Sequence, residues 1–123
     1  MKNALLKIDN IMFRVKDLEK SADFYENVLG LTRRWTDKKE KMIGFTFPEN
    51  DSEIVIHQNP KIRNPDFSFL VKDVAQFCKE HKKIVLQEPF DVRCGKSAVL
   101  ADPDGNEITV IDLTKFKNKP KYD

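Results

Sequence analysis

Four short stretches carry chemically capable side chains at every second position. Asn10, Met12 and Arg14 alternate in the first, and Glu53, Val55 and His57 in the second. Asp66 and Ser68 alternate in the third, and Glu107, Thr109 and Ile111 in the fourth. In an extended chain, period two puts each set on one face. Arginine there suits a ligand carboxylate through its bidentate fork, with pairing to a neighbouring carboxylate as the structural alternative. Asp66 suits a cationic or hydroxylated ligand; its alternative is a strand-end aspartate satisfied by backbone donors after Pro65. Asp66 with Glu53 or His57, and with Glu107, would make a usable divalent-metal site; the alternative for Glu107 and His57 is a place at strand ends in water. Trp35, with Phe45 and Phe47, offers an aromatic wall for a flat ligand, although core packing is the commoner use of such rings. Cys78 lies on an apolar helical stripe and reads as packing. Cys94 lies in a loop between Arg93 and Lys96, where positive charge would lower a thiol pKa, but no histidine is placed beside it to make a nucleophile.

These residues sit in a chain of 123, enough for one domain. Forty per cent is hydrophobic and 34% charged, a composition that is neither membrane-like nor disordered. The longest apolar run is the four residues Ala98–Ala101, against the roughly 20 a spanning helix needs, so no membrane partner is expected. The opening residues from Met1 to Lys7 lack an apolar leader. With 22 basic against 20 acidic residues the net charge is +2, too balanced to argue for nucleic acid. Two distant cysteines without an export signal read as free thiols in the cytoplasm.

The elements that must position the four stretches come from an internal repeat. Phe13-Arg14-Val15-Lys16-Asp17 returns 56 residues later as Phe69-Leu70-Val71-Lys72-Asp73. Each copy ends a strand-like alternation. Each is followed by an aspartate suited to capping a helix and by a helical stripe, Leu18, Ala22, Tyr25 and Leu29 in one, Val74, Phe77, Cys78 and His81 in the other. Gly30 closes the first helix. Strands are then expected at Leu31–Thr36, Met42–Phe47 and Glu53–His57, and at Ile84–Gln87, Ser97–Ala101 and Glu107–Asp112. Asp102-Pro103-Asp104-Gly105-Asn106 is a turn. The order β-α-β-β-β, twice, predicts an α+β fold. Two four-stranded sheets carry helices outside, and their other faces line a cleft.

The run from Ile11 to Leu31, with its V-x-D-x-x-x-S-x-x-F-Y-x-x-x-L-G pattern, resembles the opening module of the vicinal oxygen chelate superfamily. That superfamily includes glyoxalase I, bleomycin-resistance proteins and extradiol dioxygenases. The Asp102–Asn106 turn is similar to its late D-P-x-G-N turn. The resemblance runs from about Leu5 to Leu113 and implies two βαβββ modules, about 5–58 and 64–113, pairing into an open, cup-shaped eight-stranded sheet. One domain over 1–115 and a basic tail over 116–123 follow.

The resemblance also implies where metal ligands would sit. The family's four positions fall on Asn10, Val55, Asp66 and Thr109, and its glutathione-binding arginine falls on Arg14. Valine has no donor atom, and asparagine and threonine are poor neutral ligands. Without the ion there is no Lewis acid for the family's chemistry. The expectation is therefore a homodimeric small-molecule-binding protein of the bleomycin-resistance type, with no cofactor. Its ligand would meet Asn10, Met12, Arg14, Trp35, Val55, His57, Asp66, Ser68 and Thr109. Whether it is an enzyme stays open. The alternative is a metal-dependent lyase, isomerase or dioxygenase with non-standard ligands, and a third reading is an interaction module with a vestigial cleft.

Overall fold

The structure, a computed structural model, describes residues 4–123. The first residues of the opening segment discussed above lie outside the described residues. The chain divides into two compact units: Asn10–Phe67 with Lys121–Asp123, and the residues up to Asp9 with Ser68–Pro120.

The first unit is built on β1 (Lys7–Arg14, most of which belongs here), α1 (Leu18–Asp23), β2 (Thr32–Asp37), β3 (Met42–Thr46) and β4 (Glu53–His57). Its strand order is β2-β3-β4-β1, with β1 and β4 parallel and the other pairs antiparallel. The aspartate cap is present: the Asp17 carboxylate accepts from the Lys20 N–H at 3.0 Å. The alternation of β3 and β4 sends Ile43, Phe45 and Ile56 to the helix side, where they bury with Ala22 against Val15, Leu18, Tyr25, Leu31 and Ile54. The first stripe departs from expectation at its end. Residues Phe24–Val28 form a π-helical turn, and the Leu29 N–H reaches back five residues to the Phe24 carbonyl. The added residue per turn rotates Leu29 off the stripe, and it stays 52% exposed.

The second unit carries β5 (Asp66–Leu70, from Ser68 onward), α2 (Val74–Glu80), β6 (Val85–Val92), β7 (Gly95–Ala101) and β8 (Glu107–Ile111), in the order β5-β8-β7-β6. Val71, Val74, Phe77, Cys78, Ala98, Leu100 and Val110 form its core. Asp73 caps α2 through the Gln76 N–H, and the buried Asp112 carboxylate accepts from the Val74 N–H at 2.8 Å. β6 runs five residues beyond the expected Gln87, through Pro89. It is the outer strand, where a proline deletes no ladder bond. Each unit thus carries a four-stranded mixed sheet.

The last residues, Lys121–Asp123, pack on the first unit. The Asp123 N–H donates to the Arg34 carbonyl, the Asp123 carboxylate accepts from the Thr36 N–H, and Tyr122 stacks under the Arg34 guanidinium. The segment covers part of the outer edge of β2. Among the described residues no helix is long and apolar enough to cross a membrane.

Candidate functional site

In the first unit, register aligns the residues that alternate away from the core into rows across the strands. Trp35, Gly44, Val55 and Met12 form one row; Asp37, Met42, His57 and Arg14 form the next; Thr46, Glu53 and Asn10 form a third. This face therefore gathers Asn10, Met12, Arg14, Trp35, Val55 and His57. It does not gather the expected aromatic wall, because Phe45 belongs to the helix-side core.

Trp35 is 6% exposed, and its indole N–H donates to both carboxylate oxygens of Glu53, each at 3.1 Å. The ring lies across Gly44, where a Cβ would overlap it. A lone glycine between Ile43 and Phe45 in an apolar strand is the sequence signal for this close approach.

His57 is fully buried. Its Nδ1 accepts from the Asn59 N–H at 3.0 Å, so the neutral ring carries its proton on Nε2, which has no hydrogen-bond partner among the described residues. Burial lowers the His57 pKa and the nearby Arg14 charge lowers it further, while Asp66 opposes them. The imidazole is thus a neutral donor at physiological pH.

Arg14 does not extend an empty fork. Its Nε donates to the Asn59 carbonyl at 3.3 Å, and its Nη2 to those of Pro60 at 3.3 Å and Ile62 at 2.6 Å. Asp66 is held by Arg63 at 3.0 Å. In the second unit, Ser68 pairs in register with Thr109, and the two are 4% and 7% exposed. Val99 stands opposite Thr109, and Ile111 opposite Ser97, so hydroxyls and aliphatic groups share that face. Glu107 lies exposed at the start of β8.

The cysteine expectation changes. Burial, with Asp9 and Asp112 adding to it, raises the Cys94 pKa to about 12, against the weaker pull of Arg93. Its thiol donates to the Asp112 carbonyl at 3.2 Å. The neighbouring cations fail to activate it because the sulfur is turned inward. Cys78 is buried, and its pKa is raised by burial and by Glu88.

The donor chemistry does not fit the metal ion that the resemblance implies. Val55 has no donor, Asp66 is committed to Arg63, Glu53 accepts the indole N–H, and His57 offers a proton rather than a lone pair at Nε2. Among the described residues no three His, Cys, Asp or Glu side chains cluster as ligands.

The family model for the Glyoxalase/Bleomycin resistance protein/Dioxygenase superfamily matches residues 7–110. No curated protein matches. Among solved structures, methylmalonyl-CoA epimerase from Mycobacterium tuberculosis is similar with a TM-score of 0.69 at 13% identity, covering 89% of each chain. A member of the superfamily from Vibrio splendidus 12B01 has a TM-score of 0.56 at 15% identity, covering 87% of this chain and 97% of that one. The H200C variant of homoprotocatechuate 2,3-dioxygenase from Brevibacterium fuscum has a TM-score of 0.66 at 19% identity, covering 94% of this chain but 36% of that one. At these identities the likeness is one of fold.

Proposed function

Because this chain belongs to the Glyoxalase/Bleomycin resistance protein/Dioxygenase superfamily, we propose that it binds a small organic molecule through the face bearing Trp35, Met12, Val55 and His57. It does so without a catalytic metal. The observation that carries the reading is the His57 Nε2–H, a fully buried donor with no acceptor among the described residues. An unmade buried hydrogen bond costs about 1–3 kcal/mol, and an arriving acceptor recovers it. Met12, Val55 and Trp35 stand on the same face in the neighbouring row, Val55 and Trp35 buried like the imidazole. The ligand class is an apolar or flat molecule bearing a carbonyl, carboxylate or phenolate oxygen. A carboxylate would be taken by His57 rather than Arg14, whose fork already holds main-chain carbonyls.

The test is a thermal-shift library of acids, thiols and aromatic drugs, with affinities then read from Trp35 fluorescence. His57→Phe, which removes the donor, weakens the best compounds about three- to tenfold, the worth of one neutral hydrogen bond. His57→Gln, which keeps an amide donor, restores most of the loss. Equal affinities across wild type and His57→Phe refute the reading. The chain is also proposed to form a homodimer, because a two-fold pairing would cover outer sheet edges; light scattering at about 14 kDa would exclude it.

A further inference from the structure

His57 lies at the end of β4, and the chain then runs through a connector, residues 58–65, before β5. The tautomer of His57 depends on that connector, because the group that fixes Nδ1 as an acceptor is the Asn59 N–H. Asn59 sits in a small turn: its side-chain oxygen accepts from the Lys61 N–H at 2.9 Å, and its carbonyl from the Ile62 N–H at 3.3 Å. That turn is closed around the Arg14 guanidinium, which donates to the carbonyls of Asn59, Pro60 and Ile62. The Arg14 backbone N–H also donates to the Asn64 side chain at 3.0 Å, and the Val15 N–H to the His57 carbonyl at 2.8 Å. One residue of β1 thus ties down both ends of the connector.

We infer that Arg14 is a positioning residue: its fork holds the connector so that the Asn59 N–H meets His57 Nδ1 and the imidazole proton stays on Nε2. A planar guanidinium presents donors in fixed directions and can serve three carbonyls of one turn at once. An ammonium has the same charge but only a single nitrogen from which to reach them. Without the fork, the Pro60 and Ile62 carbonyls lose the guanidinium, the Asn59 carbonyl keeps only the Ile62 N–H, and the Asn59 N–H is no longer aimed at the ring. His57 would then lose the bond that selects between its two neutral forms, which are otherwise close in energy. For ligand binding, this inference rests on the reading of His57 as a donor. The tautomer itself is a property of the free protein.

The experiment uses ligand-free protein labelled with 15N-histidine, observed by long-range 1H–15N correlation at about pH 8, where an ordinary imidazole is neutral. The chain has two histidines, so His81→Gln assigns the spectrum. Wild type shows His57 protonated on Nε2 alone. Arg14→Met shows a mixture of both neutral tautomers, and Arg14→Lys an intermediate mixture. Arg14→Lys, which retains the charge and the alkyl stem, serves as the test variant if the methionine variant does not fold. A His57 signal that remains wholly Nε2-protonated in whichever variants fold overturns the inference. Because no ligand is present, that outcome is separate from a failure of the binding experiment, which leaves the tautomer result standing.

Discussion

Replacing Gly44 by alanine tests the packing that organises the Trp35 face. The added Cβ would overlap Nε1, Cε2 and Cζ2 of the Trp35 indole, atoms of a rigid ring rather than the end of a flexible chain. The ring must therefore leave its place, and its N–H then leaves both oxygens of Glu53. Overpacking of this kind costs roughly 1–3 kcal/mol. Loss of a hydrogen bond to a charged acceptor adds roughly 1.5–3 kcal/mol. The lower entropy of an alanine in the unfolded chain returns about 0.4–1 kcal/mol. The expected net destabilisation is about 2–4 kcal/mol, allowing for partial relaxation of the ring. Urea unfolding followed by fluorescence reads it directly, since Trp35 is the single tryptophan. Its emission should also shift to the red in the folded state, because the displaced ring meets water. Gly105→Ala is the control: nothing lies within 4 Å of its added Cβ, but φ is +84°, so the expected loss is strain alone. Strain of that kind costs about 1 kcal/mol, with no change in emission. A Gly44→Ala protein that loses less than about 1 kcal/mol and keeps wild-type emission would refute the reasoning.

Three further outcomes follow from other parts of the molecule. Folding lowers the His57 pKa, so between that value and the ordinary one of about 6.5 the unfolded chain binds more protons than the native one. Stability is then full above pH of about 6.5 and falls as the pH drops through it; chemical denaturation across that window should show this slope in wild type and a flatter one in His57→Gln. Cys94, with its pKa pushed up to about 12, and buried Cys78 should both resist a thiol reagent at neutral pH and react together on unfolding; fast labelling of the native protein would contradict the inward placement of the Cys94 sulfur. Protein purified without chelators and dialysed should hold far less than one Zn, Ni, Fe or Mn per chain by elemental analysis. Near-stoichiometric metal would reverse the reading of the donor set, with Glu53, His57, Asp66 and Glu107 the first residues to replace.

Much of the fold is legible in the residues because local signals and the repeat agree. The Glu53–His57 strand appears with its expected limits, since Ile54 and Ile56 must face the core and polar neighbours bound the run. Asp17 and Asp73 act as the N-caps their positions suggest. The misses lie where a non-local partner decides. Leu29 fits the helical stripe by spacing, but one π turn changes the phase. Phe45 looks like wall material for a ligand, but its strand parity is set by Ile43, and both face Ala22.

The site shows the same division more sharply. Alternation correctly puts Asn10, Met12 and Arg14 on one face, and Glu53, Val55 and His57 on another, and strand pairing brings the two sets into one. Parity says nothing about what each polar atom meets. Arg14 has the position and chemistry of an anion-binding arginine, yet three carbonyls of the following connector hold its fork. Those carbonyls come from residues 45 to 48 positions away, and their directions depend on the path of a turn that no periodicity encodes. His57, by contrast, looks like a strand-end histidine in water, and is fully buried with a proton at Nε2. The two residues therefore trade surroundings: main-chain carbonyls take up the arginine's donors, and the imidazole is buried with no partner for Nε2 among the described residues. An arginine on a binding face identifies an anion site only when the main chain around it leaves its donors unused, and here the turn that follows β4 uses three of them.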